Sequence, residues 1–213
     1  SFPGTTGTGW TTSGTGTGSG WSSSTPGSDN VFGVGSMSTG TTTTGRAVLG
    51  FVPNTFGTAQ RIRLGLGQTR CRFRLKLSAL SDGTDTYTAR VGFIDTGSGS
   101  ENTNGVFFRY THGTNGGEWQ AVSISASGGA ETATDTNVAG STSFATFEIV
   151  INAGATQALF YIDNVLVATH TTDIPTSSEP TNCGASIVKS AGTTARTLDF
   201  DYAEFEARLT TVR

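Results

Sequence analysis

The run Cys71-Arg72-Phe73-Arg74-Leu75-Lys76-Leu77 alternates strictly between apolar and basic residues. Successive side chains of a β-strand point to opposite faces of the sheet, so this period of two predicts a strand with one buried and one solvent-facing side. An amphipathic helix would instead repeat its apolar residues every three or four positions. The run therefore predicts an antiparallel sheet whose core face includes Phe73, Leu75 and Leu77.

Similar patterns recur on both sides of this run. A second stretch places Ile62 and Leu64 on a core face, and Asp163-Asn164 suits the left-handed turn of a hairpin. Turn signals separate the strands every ~8–12 residues, which is typical of a sandwich. We therefore predict an all-β, two-sheet antiparallel jelly-roll sandwich with strands at 31–38, 46–52, 61–66, 71–80, 86–94, 106–111, 119–126, 144–151, 158–162, 165–169, 185–189 and 197–209.

The composition of the chain supports this fold class. Only 14% of its 213 residues are charged, 30 are glycine, and no window shows a sustained helical stripe. Thr fits a pleated strand, and Gly supplies turns that need a positive φ. Residues 1–30 form a low-complexity Gly/Thr/Ser-rich N-terminal arm, and its Trp10 and Trp21 predict packing on the domain or on a neighbouring subunit. We predict one sandwich domain over residues 31–213.

Charge and hydropathy exclude several partners. The formal net charge is −3, which argues against nucleic acid because phosphate binding needs a basic face. The sequence has neither an apolar run long enough to span a bilayer nor a visible signal peptide, so we predict no membrane partner. Cys71 and Cys183 lack the spacing of zinc ligands; one disulfide is an option, and two small buried residues are the favoured interpretation.

The C-terminal run Asp199-Phe200-Asp201-Tyr202-Ala203-Glu204 is the strongest catalytic candidate. It resembles the Glu-x-Asp-x-x-Glu strand of laminarinase-like glucanases, although it has Asp at the first position and lies at the C-terminal end. We favour a structural interpretation, in which Arg72, Arg74 and Lys76 pair with these carboxylates across strands, each pair contributing about 0.2–1 kcal/mol. Arg72 and Arg74 should then lie within ion-pair distance of Asp199, Asp201 or Glu204. Glu204 joins that face only if a bulge shifts the strand.

A cluster of aromatic and polar residues is the candidate ligand site. Aromatic faces stack on sugar rings, while arginine, histidine and glutamine form directed hydrogen bonds to hydroxyls. The neighbours Val122 and Ile124 have the opposite parity to Trp119, which predicts that the indole faces away from the core. Packing beneath a loop or against another subunit is the alternative role for that side chain. The predicted ligand-binding residues are Arg109, Tyr110, His112, Trp119 and Gln120.

The loop at 95–104 is the candidate for a metal ion. Its carboxylate and amide oxygens are ligands that suit Ca²⁺, although they lack the regular spacing of an EF-hand loop. The same argument applies to Asp82 and Asp85, which flank a turn. A solvated loop is the favoured interpretation, so we predict no cofactor, with Ca²⁺ as the alternative.

Several segments resemble concanavalin A-like jelly rolls of bacteriophage tail, fibre and head-decoration proteins. The segments are 38–47, 105–110, the hairpin 160–170 with Ile174-Pro175, and the closing run 198–205. The resemblance implies a jelly-roll sandwich on a virion surface, in contact with identical subunits or other virion proteins, with host-surface glycan as a ligand. It carries over no catalytic residue. Two alternatives remain: a secreted carbohydrate-binding module, and a polysaccharide-degrading enzyme of the same fold.

Overall fold

The computed structural model describes residues 10–23, 33–51, 62–95, 102–126 and 130–210, which form two packed antiparallel sheets of seven strands each. In spatial order, the first sheet contains β1 (Trp10–Thr15), β4 (Arg46–Phe51), β13 (Asn182–Lys189), β6 (Tyr87–Ile94), β7 (Gly105–Thr111), β8 (Glu118–Ser125) and β9 (Ala130–Ala139). The second contains β12 (Val165–His170), β11 (Ala158–Ile162), β10 (Ala145–Ile151), β5 (Gly67–Leu77), β14 (Thr197–Leu209), β3 (Gly35–Ser38) and β2 (Gly20–Ser23). The predicted all-β jelly-roll sandwich is confirmed.

The alternating run in β5 lies at the centre of the second sheet, between β10 and β14. Phe73, Leu75 and Leu77 are each 1% exposed and pack into the core between the sheets. Aromatic rings fill much of this space, with the Phe108 ring centroid 5.3 Å from that of Phe147. The core therefore lies between the inner faces of the two sheets, and each sheet also has an outer face directed away from the other sheet.

One predicted strand, at 61–66, is wrong. Ile62 forms only an isolated bridge to Thr181, and the chain then turns through Gly65, whose φ is +84°. Ile62 and Leu64 are buried as predicted, but Leu66 is 49% exposed. The pattern failed because a glycine with positive φ interrupts the alternation; Arg61, at the start of that stretch, lies outside the described residues.

Three strands escaped the sequence analysis because they contain few apolar residues. β9 is rich in Thr and mostly exposed, and β1 and β2 come from the Gly/Thr/Ser-rich arm. β1 pairs with β4 and β2 pairs with β3, so the arm supplies one edge strand to each sheet. The Trp10 ring lies 5.3 Å from Phe51, and the Trp21 ring lies 6.1 Å from Phe200. The division of the chain at residue 30 stays a prediction.

A ladder of ion pairs covers the outer face of the second sheet, here called the β5–β14 charge ladder. Arg74 pairs with Asp201, as predicted, and the register of β14 shifts between Phe200 and Tyr202. That irregularity brings Glu204 onto the face, where Arg70 binds it at 2.8 Å.

The prediction for Arg72 is wrong, because its guanidinium pairs with Glu148 on β10 at 3.3 Å. Asp199 is held instead by the hydroxyl of Ser36 at 2.7 Å and that of Thr197 at 3.0 Å. The carboxylates of the closing strand are thus bound to neighbouring strands.

Cys71 and Cys183 are both buried and carry free thiols. They lie on opposite sheets within the core, and burial raises the pKa of the Cys183 thiol. Both behave here as small core residues. In the described part of the chain, no helix is long and apolar enough to cross a membrane.

Candidate functional site

The strand alternation divides the predicted ligand site between two faces of the first sheet. Arg109 and Tyr110 are adjacent on β7, and Trp119 and Gln120 are adjacent on β8. Adjacent residues of a strand point in opposite directions, so each pair contributes one side chain to the core and one to the outer face. Tyr110 and Trp119 point into the core, and Arg109 and Gln120 point outward.

The predicted outward orientation of Trp119 is wrong. The indole is 2% exposed and its centroid lies 4.6 Å from that of Phe147 in the core. The parity argument failed because β8 is apolar on both faces: Val122 and Ile124 join a second, smaller cluster with Phe107 on the outer face. The indole therefore lies on the core side of the sheet, and its ligand-binding role stays a prediction.

Tyr110 is equally buried, at 2% exposure. Its hydroxyl accepts a hydrogen bond from the backbone N–H of Ser81 at 3.0 Å, and its ring lies 5.7 Å from that of Trp119. Burial raises the pKa of this phenol, so it is neutral at ordinary pH. His112 lies half-buried in the turn after β7, and its role as a ligand-binding residue stays a prediction.

Arg109 and Gln120 form a polar network on the outer face. The Arg109 guanidinium donates to the Gln120 Oε1 at 3.1 Å and binds both carboxylate oxygens of Glu131 at 2.7 and 2.9 Å. Gln120 in turn donates to Asp135 at 3.3 Å. These side chains are fixed before any ligand arrives, and Glu131 and Asp135 remain exposed as hydrogen-bond acceptors. The ligand-binding role of Arg109 and Gln120 stays a prediction.

The strand register extends this network into a row across the first sheet. Ser186, Arg90, Arg109, Gln120 and Asp135 are direct cross-strand neighbours on five consecutive strands. Strands lie about 4.8 Å apart, so this polar row is about 19 Å long. The end of the row formed by Ser186 and Arg90 is closed, since these residues are 1% and 2% exposed, whereas Arg109 and Asp135 reach the surface.

A depression of about 440 Å³ lies beside the polar row, and we call it the Arg46 depression. Four hydroxyl-bearing residues and two arginines line it together with Val188 and Lys189: Thr15, Thr44, Thr88, Ser190, Arg46 and Arg90. The Lys189 ammonium is already bound to the carbonyl of Gly40 at 2.8 Å, and burial lowers its pKa. The volume of the Arg46 depression is in the range typical of small-molecule sites.

Sequence reasoning missed the arginines of this depression, although the signal was present. Ala47 and Leu49 point into the core, so Arg46 at the same strand's start must point outward. Arg90 must also point outward, because its strand directs Tyr87, Ala89 and Val91 into the core. It is the one charged residue in this otherwise largely apolar strand. What the sequence could not give was the pairing of β4, β13 and β6, which brings the two arginines to one place.

The carboxylates of the predicted metal loops have other partners. Asp95 accepts hydrogen bonds from the backbone N–H groups of Thr103 at 3.1 Å and Asn104 at 2.9 Å, which closes the loop. Asp82 and Asp85 bind Arg196 at 2.8 and 3.3 Å. Among the residues that the structure describes, no cluster of histidine, cysteine and carboxylate side chains could hold a metal ion. Residues 96–101 of the first loop lie outside the described residues.

A buried histidine and serine lie in contact but have a structural role. The His170 Nδ1 lies 2.8 Å from the Ser123 Oγ, which also donates to the Thr172 carbonyl at 2.9 Å, and the His170 Nε2 lies 3.0 Å from the Thr134 hydroxyl. Because Ser123 is fully buried, no substrate reaches its hydroxyl. The contacts join β12 of one sheet to β8 and β9 of the other, and burial lowers the pKa of His170.

The two seven-stranded sheets define the class of this protein as a concanavalin A-like jelly-roll sandwich. Solved structures of the class align over most of the chain. The Emp47p carbohydrate recognition domain is 11% identical, with a TM-score of 0.61 over 94% of this chain and 89% of that one. The family 7 polysaccharide lyase AlgAT5, an alginate lyase, is 12% identical, with a TM-score of 0.52 over 83% of this chain and 79% of that one.

The chain belongs to the SO2946-like C-terminal domain family, whose model matches residues 30–201. SO2946 of Shewanella oneidensis MR-1, described as a protein of unknown function, is 16% identical, with a TM-score of 0.62 over 95% of this chain and 80% of that one. No curated protein matches the sequence. At these identities the solved structures establish the fold alone.

Proposed function

We propose that this chain is a non-catalytic carbohydrate-binding module whose glycan lies on the outer face of the first sheet. The observation that carries the proposal is the Arg46 depression beside the pre-formed polar row. Hydroxyl, guanidinium and carboxylate groups there offer both donors and acceptors, which is what sugar hydroxyls require. The shared fold with the Emp47p carbohydrate recognition domain supports this proposal.

The surroundings of the catalytic candidates support a non-catalytic role. A retaining glycosidase needs two carboxyl groups about 5–5.5 Å apart, one of them free to protonate the leaving group. Here Asp201 is bound to Arg74, Glu204 to Arg70, and Asp199 to two hydroxyls. Carboxylates that are held by these ion pairs and hydrogen bonds are not free to approach a leaving group. The alternative, a polysaccharide-degrading enzyme, has no such support in the closing strand.

The sequence resemblance to phage proteins leads to a finer proposal about location. We place the module on the surface of a virion, as a decoration or tail-fibre protein in contact with identical subunits or other virion proteins, with host-surface glycan as its ligand. Neither nucleic acid, nor a membrane, nor a bound metal enters this role. A secreted carbohydrate-binding module is the alternative that keeps the glycan site and changes the location.

The test of the glycan proposal is binding of the purified protein to an array of plant, algal and bacterial polysaccharides. We expect saturable binding to at least one of them, unchanged by EDTA, with no decrease in the polymer's length on prolonged incubation. Failure to bind any polysaccharide on the array contradicts glycan binding, and shortening of a bound polymer contradicts the non-catalytic role. Light scattering tests the virion proposal: a symmetric oligomer supports it, and a strict monomer at high concentration contradicts it.

A further inference from the structure

The geometry points to an acidic glycan as the ligand of the Arg46 depression, with a carboxylate or sulfate group bound by Arg46. This inference rests on the proposed carbohydrate-binding function and names its substrate class. The first observation is the charge of the lining: two arginines, Arg46 and Arg90, contribute to it, and none of its described residues is acidic. The chain as a whole carries a formal charge of −3, so this local positive charge runs against the average.

The second observation is the environment of the Arg46 guanidinium. Within the described residues it takes part in no hydrogen bond or ion pair, unlike Arg109 on the same face and Arg70 on the opposite sheet. It is half-buried and lies at the start of β4, directly beside exposed Thr15 on β1 and half-buried Val188 on β13. A guanidinium has five N–H donors and no acceptor atom of its own, so a half-buried one is suited to an anionic ligand.

The third observation is the ring of hydroxyl groups around these arginines. Thr15, Thr44 and Ser190 are exposed, Thr88 is half-buried, and the Ser190 hydroxyl is held by that of Thr86 at 2.7 Å. A guanidinium binds a planar carboxylate or a sulfate through paired hydrogen bonds, whereas hydroxyls bind sugar hydroxyls. An acidic sugar carries both kinds of group on one ring and so matches both kinds of lining.

The experiment measures binding to chemically paired probes. We use oligogalacturonate and alginate as free acids beside their methyl esters, and dextran sulfate beside dextran. The expected result is saturable binding to an acidic member that is lost when its charge is masked, and the carboxylate and sulfate pairs show which group is preferred. Because a charge-assisted hydrogen bond is lost, Arg46→Gln should weaken that binding about tenfold or more.

Matched variants separate a specific site from a general charge effect. Arg208→Gln makes the same change of charge at an exposed residue of the second sheet, and it should leave the affinity within about twofold. Arg46→Lys keeps the charge without the planar fork, and its affinity should fall between those of Arg46→Gln and wild type. Equal unfolding midpoints for all three variants and the wild type show that the fold is kept.

The outcomes are distinguishable from those of the proposed function. Binding only to dextran or methyl esters, unchanged in Arg46→Gln, overturns the acidic-ligand inference and leaves carbohydrate binding in place. Equal losses in Arg46→Gln and Arg208→Gln also overturn it, because long-range charge rather than this depression would then be responsible. If the protein binds neither the paired probes nor any polysaccharide on the wider array, the proposed function is overturned, and this inference with it.

Discussion

The two outer faces of the sandwich use arginine in different ways. On the second sheet, Arg70, Arg72 and Arg74 each pair with a carboxylate on a neighbouring strand. On the first sheet, Arg109 is paired in the same manner, but Arg46 has no carboxylate partner among the described residues and lies at a depression lined by hydroxyls. The comparison shows that a basic residue on a strand is not by itself a sign of ligand binding: its partners decide whether it stabilises the sheet or is available to a ligand.

The largest expected effect concerns the core beneath the polar row. Trp119→Ala should lower the free energy of unfolding by about 3–5 kcal/mol, because it leaves a cavity against Phe147 and Tyr110. Urea unfolding followed by circular dichroism measures this. Trp119→Phe, which keeps most of the volume, should cost much less. If Trp119→Ala left the free energy of unfolding unchanged, the indole would not be packed in the core, and the sequence-based prediction that it faces outward would be favoured.

A smaller effect is expected in the β5–β14 charge ladder. Glu148→Gln should lower the free energy of unfolding by about 1–2 kcal/mol, because it leaves the partly buried Arg72 guanidinium without its carboxylate. Glu118→Gln on the first sheet, where the carboxylate has no ion pair among the described residues, is the control and should change stability by less than about 0.5 kcal/mol. Affinity for an acidic glycan should be the same in both. If Glu148→Gln were as stable as Glu118→Gln, ion pairs would not stabilise the outer face of the second sheet.

The contact between the two sheets at His170 should make stability depend on pH. Burial lowers the pKa of His170 in the folded chain, so the unfolded chain takes up the proton more readily. The contribution of His170 is therefore complete above its unfolded pKa of about 6.5 and falls as the pH drops below that value. Unfolding measured between pH 8 and pH 5 should show this loss in wild type and in His112→Gln, but less of it in His170→Gln. An identical pH profile in His170→Gln would contradict the assignment.

The smallest expected effect on stability is at Arg46 itself. Because the guanidinium has no ion pair among the described residues, Arg46→Gln should change the free energy of unfolding by less than about 0.5 kcal/mol. Thermal and urea unfolding check this, and the result sharpens the contrast with Glu148→Gln on the other face. A loss of 2 kcal/mol or more, on the scale of a charged hydrogen bond, would place Arg46 among the structural arginines.

More of the fold than of the candidate site could be predicted from the sequence, and the reason is physical. The period of two in β5 reports burial directly, so Phe73, Leu75 and Leu77 were assigned correctly. A site depends on which strands become neighbours, and nothing local specifies that β4, β13 and β6 lie side by side. Trp119 was misassigned because β8 is apolar on both faces, so that alternation alone could not show which face is the core.

The most direct test of the account is to locate the bound glycan by NMR. Titration of ¹⁵N-labelled protein with the acidic oligosaccharide that binds most tightly should shift the backbone amides of Thr15, Thr44, Thr88 and Ser190, which line the Arg46 depression. The amides of Glu148, Tyr161 and Tyr202 on the second sheet should not move. Saturable shifts confined to that second set would contradict the assignment of the outer face of the first sheet as the glycan-binding surface.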